Sequence, residues 1–154
     1  MRRLFGFLLA GALIVLPAFS VHGTALAQSA PQKQTFTGDM VLLAYAVNAD
    51  KTADYEKVIA QLKDALTKSE KPDAKQQLAG WKVMKNAMPQ PDGSIVYIHV
   101  INPVVKDADY SITNVVYEAF TDPTERTNFY NMYRPTIKSA ILSLQGPIAA
   151  DLGK

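Results

Sequence analysis

Cysteine is absent from all 154 residues. That excludes thiol nucleophiles, CxxC redox centres, thiolate metal sites, disulfide staples and lipid attachment through an N-terminal cysteine. Net charge is nearly absent too, because 16 Lys and Arg stand against 14 Asp and Glu, and Arg2 and Arg3 account for the excess. A balanced chain has no field to gather nucleic acid or an anionic membrane, so any partner is recognised by shape or by local groups. No GxGxxG or GxxxxGK loop is present to cradle phosphate, and no GxSxG, SxxK, HxH or HExxH motif marks a nucleophile or a metal site. What is there, 48% hydrophobic and 19% charged residues without a low-complexity tract, suffices for one folded domain.

The chain opens with Arg2 and Arg3, then an uncharged apolar run from Leu4 to Leu16, then Pro17 and the small-residue site Ala25-Leu26-Ala27. This pattern reads as a secretory signal peptide over residues 1–27, cleaved before Gln28. A membrane-spanning helix needs about 20 apolar residues, which this run reaches only by including Pro17, Ser20 and His22. The expectation is an exported protein, periplasmic or extracellular, with no membrane association after cleavage. Residues 28–38 are polar, with Pro31 and Gly38, and read as a flexible leader ahead of a single domain over 39–154.

Met40 to Val47 is a short unbroken apolar run and predicts a buried strand. Tyr55, Val58, Ile59, Leu62, Ala65 and Leu66 then recur at helical spacing, predicting an amphipathic helix over Thr52 to Lys68, capped by Thr52 or Asp50. A short helical turn over Ala74 to Leu78 should stop at a left-handed Gly80. Trp81 to Met88 and Ile95 to Ile101 flank the turn residues Pro89 to Ser94, which predicts a hairpin. Ile112, Val115, Val116, Ala119 and Phe120 return to helical spacing, and Asp122-Pro123 supplies a cap and a first-turn proline for another helix. Phe129, Met132, Tyr133, Ile137, Ala140, Ile141 and Leu144 continue one helical face, kinked or restarted at Pro135, leaving Leu144 to Leu152 for a last weak strand.

This order predicts an α+β fold of ferredoxin-like βαββαβ type, an antiparallel sheet with helices on one face. Alternation gives Val96, Ile98 and Val100 to one face of the hairpin strand and Ile95, Tyr97, His99 and Ile101 to the other. In the first strand Val41, Leu43, Tyr45 and Val47 oppose Met40, Leu42, Ala44 and Ala46, so both faces of the sheet are apolar. The face without helices needs a cover, and a second copy of the chain, sheet against sheet, is the simplest one.

AGWKVMKNAM and YIHVINPVVKDADYSITNVVYEAF resemble sequences in a group of small exported bacterial proteins of unassigned function, a resemblance that spans Asp39 to Leu144. More loosely, the element order is similar to the dimeric α+β barrels, whose members include cofactor-free monooxygenases and haem-degrading enzymes. The haem-degrading members use a His on the second helix, and this sequence has none there, so the resemblance implies the fold without the activity.

His99, the one His after the signal segment, is the first candidate for chemistry, as base, haem ligand or metal ligand, against a role as a hydrogen-bonded core or interface residue. The latter fits better because no sequence motif supplies partner ligands; His99 is then expected at the sheet-to-sheet surface. Trp81, Tyr45 and Tyr97 could join it around a cavity for a small apolar ligand, against simple packing without ligand, which fits better. Lys82 and Lys85 lie on opposite faces of one strand, where an inward Lys would have a lowered pKa, although solvated or edge-protecting lysines are far commoner. Arg126 and Arg134 share a helical face and could clamp an anion. The expectation is a non-catalytic homodimer, without cofactor, metal or nucleic acid, that takes a small apolar ligand. The alternative is a cofactor-free or haem-dependent oxidative enzyme working around His99, Tyr97 and Trp81.

Overall fold

The computed structural model describes residues 32–153, so the signal segment and the first residues of the leader lie outside the described residues. The elements are β1 (Met40–Val47), α1 (Thr52–Lys68), α2 (Ala74–Gly80), β2 (Trp81–Lys85), β3 (Ile95–Ile101), α3 (Ile112–Ala119), α4 (Pro123–Tyr133) and β4 (Ile137–Gly146). The four strands form one antiparallel sheet in the order β2-β3-β1-β4. Among the described residues, no helix is long and apolar enough to cross a membrane.

The helix-facing side of the sheet is set by alternation along β1 and β3. Val41, Leu43 and Val47 are buried, and Val41 pairs with Ile101, Leu43 with His99 and Val47 with Ile95 across the ladder. Onto this side pack Val58 and Leu62 from α1, Ala74 from α2, Val115 and Val116 from α3, and Phe129 from α4. At about 25 cal/mol per Å² of apolar surface removed from water, this one contiguous layer is the main source of stability. Ser111 and Asp122 cap α3 and α4 through bonds from Asn114 N and Thr124 N. The expected cap of α1 is absent: a 3₁₀ turn over Ala49–Lys51 leads into the helix, and no side chain caps it.

Three local expectations are corrected. Helix α4 stops at Tyr133, a 3₁₀ turn follows over Arg134–Thr136, and Ile137–Gly146 is a strand paired along β1 instead of a continued helix. Pro135 has no N–H to extend the helix, and β1 offers a free ladder edge beside it. Gly80 is not left-handed; α2 runs through it, and a Cβ there would stand 2.7 Å from the Pro103 carbonyl oxygen. Left-handed glycine occurs instead at Gly93 (φ 81°) in the β2–β3 turn. Strand β2 ends at Lys85, short of Met88.

Within the segment read as a leader, residues 32–38 are held by the fold. Phe36 is buried against Tyr110, Tyr110 N donates to the Gln34 carbonyl at 2.8 Å, and Gln34 N donates to Asp109 Oδ1 at 2.9 Å.

Among the described residues, no helix packs on the other side of the sheet. There Leu42 pairs with Val100 and Leu144, Ala44 with Ile98 and Leu142, and Ile98 with Met84. Met84 is 53% exposed and Leu144 55%, and every residue of β4 between its two ends is exposed.

Candidate functional site

Alternation along β3 places His99 on the helix-covered side, fully buried. The expected position at a sheet-to-sheet surface is therefore corrected: His99 lies in the interior of one chain. Trp81, at the start of β2, reaches it with the indole N–H, and Tyr55, in the first turns of α1, reaches it from above. Trp81 Nε1 donates to His99 Nδ1 at 2.9 Å, and Tyr55 Oη lies 2.7 Å from His99 Nε2.

The indole can only donate, which fixes the proton of the imidazole. Nδ1 must be the bare acceptor, so the neutral ring carries its hydrogen on Nε2 and donates it to the Tyr55 hydroxyl. A second proton on Nδ1 would set N–H against N–H, and burial independently pushes the His99 pKa down to about 4. Neither nitrogen is free to accept a substrate proton or to ligate iron or zinc unless the bond to Trp81 or Tyr55 is given up.

Tyr45, Tyr97 and Trp81 do gather around this histidine's side of the sheet, but the space among them is filled by side chains. Tyr45 meets the imidazole edge-on at 5.6 Å, Trp81 tilts against it at 5.8 Å, and Tyr55 meets Tyr97 at 4.8 Å. Trp81 continues to Tyr110 at 5.3 Å, and Tyr55 stacks on Tyr133 at 6.4 Å. Burial raises the phenol pKa values of Tyr45, Tyr55 and Tyr133, the last two well beyond the ordinary range. These phenols stay protonated at any ordinary pH. The cluster is an aromatic core with one neutral histidine at its centre.

Lys82, paired with Val100, is exposed on the side of the sheet away from the helices. Lys85 lies at the helix side's margin, half exposed, and donates to Glu56 at 2.8 Å while Tyr97 Oη donates to the same carboxylate oxygen at 2.9 Å. The Glu56 bond raises the Lys85 pKa, so Lys85 is an edge lysine and not an inward, desolvated one, and the same lysine lowers the pKa of Glu56. Arg126 donates twice to the Phe120 carbonyl, at 3.2 and 2.9 Å, and Arg134 donates to Tyr130 Oη at 3.2 Å. The two guanidinium groups serve separate partners and form no anion clamp.

Open space lies elsewhere. A cavity of about 1000 Å³ runs between the end of α1, the α1–α2 loop and α3, with Leu66, Ala74, Val115 and Ala119 on its apolar side. Lys71 and Glu118, both among its lining residues, form an ion pair at 2.6 Å. A second cleft of about 210 Å³ lies between α1, the α3–α4 turn and α4. Its Gln61 Oε1 is buried without a hydrogen-bond partner. Neither space borders His99. Gln61 and Tyr55 were not singled out for chemistry by the sequence, although Tyr55 belongs to the apolar stripe of α1 and so was bound to face the sheet. Among the described residues, no group of three His, Asp or Glu side chains could hold a metal ion.

Compared with known proteins, the chain matches no family model, no curated protein and no solved structure.

Proposed function

We propose that the chain is an exported, non-catalytic binding protein of ferredoxin-like, dimeric α+β barrel type that assembles in pairs through the open side of its sheet. The observation that carries this reading is the uncovered apolar face formed by Leu42, Ile98, Val100, Leu142, Leu144 and Met84. The split arrangement, with β3 between β1 and β2 and β1 between β3 and β4, supports the ferredoxin-like part of this reading.

Area argues for a second copy as the cover. Four strands about 4.8 Å apart, with β1 rising about 3.3 Å per residue, give a face roughly 19 Å by 26 Å. Two such faces bury roughly 1,000 Å² before side-chain relief is counted, the lower edge of specific interfaces. A cover must also be poor in charge, because the centre of the face holds no charged side chain and Lys82 stands on its outer strand. The same face on a second chain meets that requirement, and a two-fold pair satisfies both at once.

The tied imidazole supports a binding role over an oxidative one, since His99 offers no free lone pair. The test is a charge placed in the middle of the face. Ile98→Glu should give a folded, monomeric protein by circular dichroism and sedimentation, while Lys75→Glu on exposed α2 should leave the pair intact. An Ile98→Glu protein that sediments as the wild type does would overturn the reading.

A further inference from the structure

We infer that Tyr97 and Glu56 form a redox site, in which the phenol gives one electron to a one-electron oxidant while its proton passes to the carboxylate. The site is the terminus for electron holes formed in the buried aromatic cluster. This goes beyond the binding role proposed above and rests neither on it nor on the pairing of chains.

The first observation is the direction of one hydrogen bond. Tyr97 Oη donates to Glu56 Oε1 at 2.9 Å, so the phenol has a base in place before any electron leaves. An oxidised phenol is a very strong acid, and a base within hydrogen-bond reach lets the electron and the proton depart together. The other phenols lack such a base. Tyr110 Oη accepts from Val105 N, Tyr130 Oη accepts from Arg134, and Tyr55 Oη accepts the His99 Nε2 hydrogen while no described residue accepts its own. Among the described residues, Tyr97 is the one tyrosine whose hydroxyl donates to a carboxylate.

The second observation is the contact between this pair and the cluster. Tyr97 meets Tyr55 edge-on at 4.8 Å, and Tyr55 lies 6.2 Å from the His99 ring. Trp81, the one indole of the chain, adjoins His99 at 5.8 Å and Tyr110 at 5.3 Å. Ring contacts therefore run unbroken from Tyr110 to Tyr97. A hole on Trp81 cannot rest there, because its proton would go to His99, whose charged form burial disfavours. At Tyr97 the proton has an exit, since the Glu56 side chain is half exposed and returns it to water.

Lys85 makes the coupling strict. Its Nζ donates to the same Glu56 oxygen at 2.8 Å and stands 5.7 Å from the centre of the Tyr97 ring. A fixed positive charge at that distance opposes a phenol radical cation, so the electron leaves only with the proton. In balance, the oxidant gains one electron, the Tyr97 O–H bond breaks, and Glu56 takes the proton. The neutral phenoxyl radical left behind is buried, out of reach of a second chain.

Photogenerated tris(bipyridine)ruthenium(III) is a suitable oxidant, applied in a Tyr130→Phe background because Tyr130 is exposed to direct attack. Electron paramagnetic resonance after the flash should show a neutral phenoxyl radical, and transient absorption should show that it forms more slowly in D2O than in H2O. Tyr97→Phe should abolish the signal. Glu56→Gln keeps the shape without the base and should slow formation about a hundredfold, within the range of a positioned proton acceptor. Lys85→Met frees the carboxylate from its lysine and should speed formation. Glu56 and Lys85 are exposed, so these two variants stay folded even if Tyr97→Phe is disturbed. An unchanged signal in Tyr97→Phe, an unchanged rate in Glu56→Gln, equal rates in H2O and D2O, or a radical that remains on Trp81 would each overturn the assignment.

Discussion

Trp81 Nε1 donates to His99 Nδ1 at 2.9 Å, and this one bond decides the protonation state of the buried histidine. It ties the first residue of β2 to the middle of β3, and Tyr55 locks the other nitrogen to α1. The imidazole thus joins the sheet to its covering helix.

Stability should fall as the medium is acidified through the histidine range. The folded pKa of about 4 lies below the unfolded value of 6.5, so between these pH values the unfolded chain binds a proton that the native chain refuses. Full stability holds above 6.5, and roughly 3 kcal/mol is lost on going down to pH 4. Urea unfolding from pH 7 to 5, above most carboxylate titrations, reads the slope. His99→Gln should flatten it, and an equal slope in that variant would assign the effect to other groups.

Removing the ring altogether should cost stability at every pH. His99→Ala leaves a cavity and strands the Trp81 indole N–H, for a loss of about 2–4 kcal/mol in chemical denaturation. A change below about 0.5 kcal/mol would mean that the ring is not a structural link.

Gly80→Ala should destabilise although alanine is the better helix former. The added Cβ meets the Pro103 carbonyl oxygen at 2.7 Å, and backbone cannot swing aside as a side chain does. Overpacking of this kind costs about 1–3 kcal/mol. A thermal melt unchanged from wild type would show that the α2 to Pro103 approach can open.

Much of this architecture was legible because the apolar residues repeat with a single period. Tyr55, Val58, Leu62, Ala65 and Leu66 define α1, and its observed bounds are those expected from the sequence. β1 and β3 are likewise read correctly from short apolar runs between turn residues. The last strand was expected too late, over Leu144 to Leu152, because Ile137, Ala140, Ile141 and Leu144 happen to fall three and four apart; the free edge of β1 turns Ile137–Gly146 into the strand, and residues 147–152 are not part of it. The aromatic cluster was legible in membership but not in placement. Both faces of β3 are apolar, so alternation groups His99 with Tyr97 without saying which face the helices cover, and the Tyr55 bond from α1 answers that. Gln61 carried no signal, since an orphaned amide oxygen exists only once three elements are packed around it.

On this reading the open face of Leu42, Ile98, Leu142 and Leu144 closes on a second copy of the same chain. Sedimentation equilibrium of the purified wild-type protein over the micromolar range tests it most directly. Twice the single-chain mass is expected, with dissociation only on dilution; a single-chain mass at every concentration would rule the pairing out.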